Sequence, residues 1–179
     1  MEFIGREREL TRIKKTLKVT EQRNVLIYGR RRVGKSELIK QALTDLSDVA
    51  TVYYECRQTS EADNLESLSV LVAEALSFPP LAFTGIRELI EFLFAQAKDK
   101  NITLVLDEYP YLRDAVKGLD SILQTSIDAH REDSRLNIVL CGSYVEIMKS
   151  LIEHESPLYG RIDLALELKP MDYFDAAKF

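Results

Sequence analysis

Short apolar runs alternate along the chain with longer stretches in which apolar residues recur every three or four positions. From Arg6 to Lys18, Leu10, Ile13 and Leu17 fall on one side among charges, which predicts an amphipathic helix. Asn24–Tyr28 is a compact apolar run and predicts a strand, followed by a helix over Lys35–Leu46. Val49–Cys56 predicts a second strand. Asn64–Ser77 then places Leu65, Leu68, Leu71, Val72 and Leu76 on one helical face, and Pro79-Pro80 stops it. Ile86–Lys98 predicts the next helix, Ile102–Leu106 a third strand, Leu119–Arg131 a helix and Leu136–Cys141 a fourth strand. Tyr144–Glu153 is helical by the same criterion. Ile162–Leu168 alternates apolar with acidic residues, as a strand nearer an edge does, and a further helix is expected from Asp172. Strands that alternate with helices predict an α/β fold: a mostly parallel sheet with right-handed crossovers and helices on both faces.

Between the first strand and its helix lies Gly29-Arg30-Arg31-Arg32-Val33-Gly34-Lys35-Ser36, a G-x-x-x-x-G-K-[ST] sequence. A strand, a glycine-bearing loop and a helix in this order form a phosphate-binding P-loop. A triphosphate concentrates negative charge. Loop N–H groups and the positive end of the following helix, which opens through Glu37, can surround it. Gly29 and Gly34 permit close backbone approach. Lys35 can place its ammonium on the β- and γ-phosphates, and the Ser36 hydroxyl can ligate Mg²⁺. Arg30, Arg31 and Arg32 lie inside the loop, where they either face solvent or touch phosphate.

The third strand ends in Asp107-Glu108. Carboxylates at the C-terminal end of a buried parallel strand stand where open α/β sheets bind ligands. Asp107 suits the Mg²⁺ shell, through water, and Glu108 can orient the water that attacks a γ-phosphate.

A chain of 179 residues is about right for one domain, and 46% hydrophobic with 30% charged residues is ordinary for a soluble globular protein. The net charge of −5 supplies no basic field toward DNA or an anionic membrane. No apolar stretch approaches membrane-spanning length, and the N-terminus lacks a signal-peptide pattern, so a cytoplasmic location is expected. The two cysteines, Cys56 and Cys141, end strand-like runs and read as small buried side chains rather than a disulfide framework. His130 and His154 show no ligand spacing.

Among P-loop proteins, a GTPase reading lacks its Asn-Lys-x-Asp guanine reader, and the Leu-Ser-Gly-Gly signature of transporter ATPases is absent. The Asp107-Glu108 pair favours hydrolysis by an AAA-like core. Phe3-Ile4-Gly5-Arg6-Glu-Arg-Glu-Leu10, the phosphate loop, Leu104–Pro110, Leu140–Ser143, Pro157–Arg161 and Leu166–Pro170 together resemble one family. It is the AAA-type ATPases found predominantly in archaea and in many bacteria. These are related to signal-transduction ATPases with numerous domains and to origin-recognition ATPases.

The resemblance covers essentially the whole chain. It implies a three-layer α/β/α P-loop core over residues 1–179, with five strands in the order 5-1-4-3-2. It implies that Phe3, Ile4 and Arg6 pack near the adenine, although a helix start packed on the core is the other reading. Ser143 matches a polar sensor of the attacking water or γ-phosphate, and can equally cap a helix. Arg161 matches an arginine that reaches a neighbouring subunit's nucleotide, and can equally form a surface ion pair. Family members continue with a helical lid and often a winged-helix domain, so 1–179 is expected to be the ATPase core of a longer protein. The expected activity is hydrolysis of Mg·ATP to ADP and phosphate, coupled to rearrangement of a protein partner or homo-oligomer. A slow nucleotide-dependent switch and the ATPase module of a DNA-associated protein are the alternatives. DNA contact by these residues themselves is not expected.

Overall fold

A computed structural model of the chain describes residues 5–171. The five apolar runs form β1 (Asn24–Tyr28), β2 (Val49–Glu55), β3 (Asn101–Asp107), β4 (Leu136–Gly142) and β5 (Leu164–Glu167). All four pairings are parallel, and the sheet order is β2-β3-β4-β1-β5. This is the expected 5-1-4-3-2 order. Every residue of β1 and β4 is buried, whereas β5 alternates buried with exposed, as its edge position requires.

Period-two alternation divides the side chains of β1 to β4 between two cores, while β5 faces one core and solvent. Val25 and Ile27 of β1, with Val105, Val139 and Cys141, meet Ile13 and Leu17 of α1 (Glu7–Leu17) and Leu38 and Ile39 of α2 (Lys35–Thr44). Leu26 and Tyr28 point the other way. There the sheet is covered by α3 (Glu61–Ala75), α4 (Ile86–Gln96), α5 (Tyr109–Ala115), α6 (Leu119–His130) and α7 (Val145–Ser150). Three layers result.

Some boundaries move for local reasons. Helix α3 begins at Glu61 rather than Asn64, because the Ser60 side chain caps it by accepting from the Asp63 amide at 3.2 Å. Helix α7 ends at Ser150, short of Glu153, and passes into tight turns such as Glu153 N–H to the Ser150 carbonyl. Helix α5 has no apolar repeat long enough to announce it. The helix expected from Asp172 lies outside the described residues.

Two backbone contacts join the strand ends that frame the phosphate loop. The Gly29 amide donates to the Gly142 carbonyl at 3.4 Å, and the Leu168 amide donates to the Tyr28 carbonyl at 2.7 Å. The second contact brings the Leu168 carbonyl so near Gly29 that a β-carbon there would lie 2.3 Å from its oxygen. Gly34 differs: its φ is 93°, but open space surrounds the position a β-carbon would take. Gly29→Ala is therefore expected to destabilise the chain by more than about 2 kcal/mol through a backbone clash. Gly34→Ala is expected to cost only about 1 kcal/mol, the left-handed strain alone. Urea unfolding of both variants checks the order; equal losses would show that the Gly29–Leu168 approach does not constrain the loop.

Candidate functional site

The C-terminal ends of β1, β3 and β4 lie side by side, since Tyr28 is opposite Gly142 and Leu106 opposite Leu140. Whatever follows each strand must therefore converge on one edge. The phosphate loop follows β1, Glu108 follows β3 and Ser143 follows β4. They line a cleft of about 440 Å³ with Arg31, Arg32, Gly34, Lys35, Ser36, Glu37, Glu55 and Tyr111.

Lys35 begins α2 and its side chain is buried. The ammonium donates to the carbonyls of Gly29 at 2.9 Å and Arg30 at 2.8 Å. Among the described residues these are its hydrogen-bond partners, and both are neutral. A buried cation held only by dipoles retains its attraction for an anion, and an ammonium has a third proton to offer.

Ser36 and Asp107 are in direct contact: the serine hydroxyl donates to Asp107 Oδ2 at 2.7 Å. The Glu108 amide donates to Asp107 Oδ1 at 2.9 Å, and the Tyr53 hydroxyl donates to Oδ2 at 2.5 Å. Burial, followed by the bond to Asp107, raises the Tyr53 phenol's pKa well above its ordinary value, so it stays a proton donor. Among the described residues no group of three His, Cys, Asp or Glu side chains is placed to hold a metal. A hydroxyl beside one carboxylate is nevertheless a hard-oxygen pair. It suits Mg²⁺, which takes few protein ligands and completes its shell with water and phosphate oxygens.

Glu108 adopts φ 55°, ψ 47° and stands at the N-cap of α5. This left-handed turn lets the next residue reverse into the core. Tyr109 is fully buried and donates its hydroxyl to Asp120 Oδ1 at 2.6 Å, while Arg113 Nε donates to Asp120 Oδ2 at 2.9 Å. With Tyr109 anchored, the Glu108 carboxylate turns toward β4. Its Oε1 accepts the Ser143 hydroxyl at 2.6 Å, and its Oε2 accepts the Ser143 amide at 3.4 Å.

The arginines of the loop are exposed. Arg31 donates to the Tyr111 hydroxyl at 3.3 Å, and the rings of Tyr111 and Tyr144 meet edge to face at 5.9 Å. Arg6 reaches back to the loop, donating to the Val33 carbonyl at 3.3 Å and to the Lys169 carbonyl. It thereby bridges the phosphate loop and the segment after β5. Phe3 and Ile4 lie outside the described residues. Cys56 and Cys141 are buried and free, and burial pushes both thiols up, so neither is a poised nucleophile.

A profile of ATPase domains found predominantly in Archaea matches residues 3–179. The chain belongs to this family. A protein of Methanocaldococcus jannaschii, itself uncharacterized, is 29% identical over 178 residues, covering 99% of this chain and 38% of the relative. The Walker-type ATPase of Pyrococcus abyssi superposes with a TM-score of 0.72 at 21% identity, covering 98% of this chain and 56% of that one. The ORC2 protein of Aeropyrum pernix, solved with ADPNP and ADP, also gives 0.72, at 18% identity over 93% of this chain and 48% of that one. The ORC1 protein of the same organism, solved in complex with DNA, gives 0.72 at 18% identity over 99% and 48%. At these identities the solved structures establish the fold alone: a three-layer α/β core with a five-stranded parallel sheet. The chain spans between about four-tenths and somewhat over half of these relatives.

For this member of the archaeal ATPase family, sequence reasoning passed over Tyr53, Glu55 and Tyr111. Tyr53 and Tyr54 are adjacent and point to opposite faces of the sheet. Only the strand's facing tells which of them meets Asp107. Arg161 is not brought to the cleft. Its carbonyl accepts from Asn24 Nδ2 at 2.8 Å, at the start of β1, whereas the phosphate loop follows the end of that strand. The separation is on the order of 13 Å. Its guanidinium holds Asp128 bidentately, Nε to Oδ1 at 2.8 Å and Nη2 to Oδ2 at 2.6 Å, and this bond lowers the pKa of the Asp128 carboxyl. Among the described residues no helix is long and apolar enough to cross a membrane. Arg161→Ala is expected to leave nucleotide affinity of the isolated chain within about twofold, as for a distant independent site. Calorimetric titration reads this directly, and a tenfold loss would place the arginine in its own chain's site.

Proposed function

We propose that this chain binds Mg·ATP across the β1–α2 loop and hydrolyses it to ADP and phosphate. The observation that carries the reading is the convergence of Lys35, Ser36, Glu108 and Ser143 on one cleft, from the ends of three adjacent strands, with Asp107 bonded to Ser36 behind it. In this reading the loop amides and the Lys35 ammonium bind the β- and γ-phosphates. Ser36 and Asp107 would hold Mg²⁺, which when bound neutralises charge on the phosphate oxygens. Glu108 accepts a proton from the attacking water as its oxygen bonds to the γ-phosphorus and the bond to the β-phosphate bridge breaks. Ser143 donates to the γ-phosphate or to that water. Arg161 acts, if the family's arrangement holds, on a neighbouring copy's nucleotide. Adenine preference rests on family membership and on the ADPNP- and ADP-bound relative.

A second reading, a nucleotide-dependent switch with slow turnover, is favoured by one specific contact. The Glu108 carboxylate accepts from both the hydroxyl and the amide of Ser143, which turns it toward β4 and occupies one acceptor site on each oxygen. The DNA-associated alternative rests on the neighbour solved with DNA, and the net charge of −5 gives these residues no basic field with which to hold DNA themselves.

Titration of the purified chain with ATP, ADP and GTP, with and without Mg²⁺, alongside phosphate release, tests these readings. Lys35→Ala is expected to abolish measurable nucleotide binding. Glu108→Gln is expected to keep binding while lowering phosphate release by about 10²-fold or more, the usual loss of a general base. Binding without release in the unaltered chain favours the switch. A folded chain that binds no nucleotide refutes both.

A further inference from the structure

We propose that Tyr53 is a positioning residue for the metal, holding the Asp107 carboxylate in the orientation that the divalent cation needs. The proposal rests on the Mg·nucleotide reading of the cleft. Tyr53 lies on β2 opposite Val105 of β3, one side-chain repeat short of the Glu55–Asp107 pair. A diagonal neighbour at this offset is within reach of a long aromatic side chain. The phenol ring is half-buried on the α2 face of the sheet, with the Lys40 ammonium 5.3 Å from its centroid, and its hydroxyl ends 2.5 Å from Asp107 Oδ2.

Consider what fixes this carboxylate. Oδ1 accepts the Glu108 amide at 2.9 Å, and Oδ2 accepts both the Ser36 hydroxyl at 2.7 Å and the Tyr53 hydroxyl. Neither of the first two is an independent support. The Glu108 amide moves with the left-handed turn that carries the proposed base, and Ser36 is itself the proposed ligand, so its hydroxyl turns with the cation. Tyr53 alone among the strong donors comes from β2, a strand that carries neither the phosphate loop nor the base. Its ring is carried by β2 and lies under Lys40 of α2, so its hydroxyl steadies the Asp107 carboxylate from a strand that supplies no proposed ligand or base.

Hydrogen bonds that orient a metal-ligating carboxylate typically govern metal affinity by ten- to hundredfold. Loss of the phenol also frees a lone pair on Oδ2, which by itself favours the cation. The orientational effect is taken to dominate, because Mg²⁺ demands near-ideal octahedral geometry.

Tyr53→Phe tests this, because the ring and its contact with Lys40 are kept. The readout is the affinity of the chain for the non-hydrolysable analogue ADPNP, measured calorimetrically in EDTA and in excess Mg²⁺. In the unaltered chain Mg²⁺ is expected to tighten binding. In Tyr53→Phe, affinity in EDTA is expected to stay within about twofold, while the Mg²⁺ enhancement falls by about tenfold. A merely structural role would weaken both arms together. Equal enhancement in the two proteins, or a larger one in Tyr53→Phe, overturns the proposal and leaves the nucleotide reading intact. Absence of ADPNP binding by the unaltered chain in either buffer overturns the nucleotide reading, and the role of Tyr53 falls with it. Should Tyr53→Phe unfold, Asp107→Asn in the unaltered background supplies the second comparison. Its Mg²⁺ enhancement must fall at least as far as any change assigned to Tyr53, and an undiminished enhancement there also overturns the proposal.

Discussion

Parallel pairing of β1 with β4 and of β4 with β3 is the constraint on which the site depends. Parallel strands end together. The segments leaving β1, β3 and β4 therefore emerge at one edge, where they meet across about the width of two strand spacings. The phosphate loop, the acidic pair and Ser143 are far apart in the chain and adjacent in space for this reason alone. The same pairing fixes which side chains can touch. Ser143 meets Glu108 because they leave the neighbouring ends of β4 and β3, and Ser36 reaches Asp107 across the end of β4, which lies between β1 and β3. Close packing secures the arrangement from below: every residue of β1 and β4 is buried between two helical layers, so the strand ends cannot slide independently.

Electrostatics then divides the cleft into two poles. Lys35 is buried at one pole against carbonyl dipoles, and Asp107 and Glu108 stand at the other. Each charged group is satisfied by neutral donors or acceptors rather than by its opposite. Direct pairing of Lys35 with Asp107 would quench the attraction that an anion and its counter-cation need. Hydroxyls fill the space between instead, those of Ser36, Tyr53 and Ser143, and a hydroxyl can exchange one partner for another at small cost. The backbone shows the same economy. Glu108 holds a left-handed conformation that costs about 1–2 kcal/mol, and the buried Tyr109–Asp120–Arg113 network next to it offsets that strain.

The opposite edge of the sheet has a different character. There Arg161, Asn24, Asp128 and Asp163 exchange hydrogen bonds around the start of β1. A bidentate guanidinium–carboxylate pair is a specific contact, but with Asp128 largely exposed it adds little to stability. Such a pair can be exchanged for a stronger anion brought by another molecule.

The sequence by itself determined the alternation of strands and helices, the phosphate loop and the acidic pair after β3, because each is local. Apolar period decides the element, and the spacing of glycines, lysine and serine decides the loop. Family resemblance extended this to the strand order. Short or strained pieces were not legible. Helix α5 has only seven residues and no repeat, and the left-handed turn at Glu108 has no glycine to mark it. Nor does any linear pattern separate Tyr53 from Tyr54. Tertiary structure alone decided that Tyr53 and Ser36 share one carboxylate oxygen, that Ser143 holds Glu108, and that Arg161 stands at the far edge. The physical reason is the same in each case. Periodicity reports which face of its own element a residue occupies, while contacts between elements are set by pairing register and side-chain reach, which depend on the whole sheet.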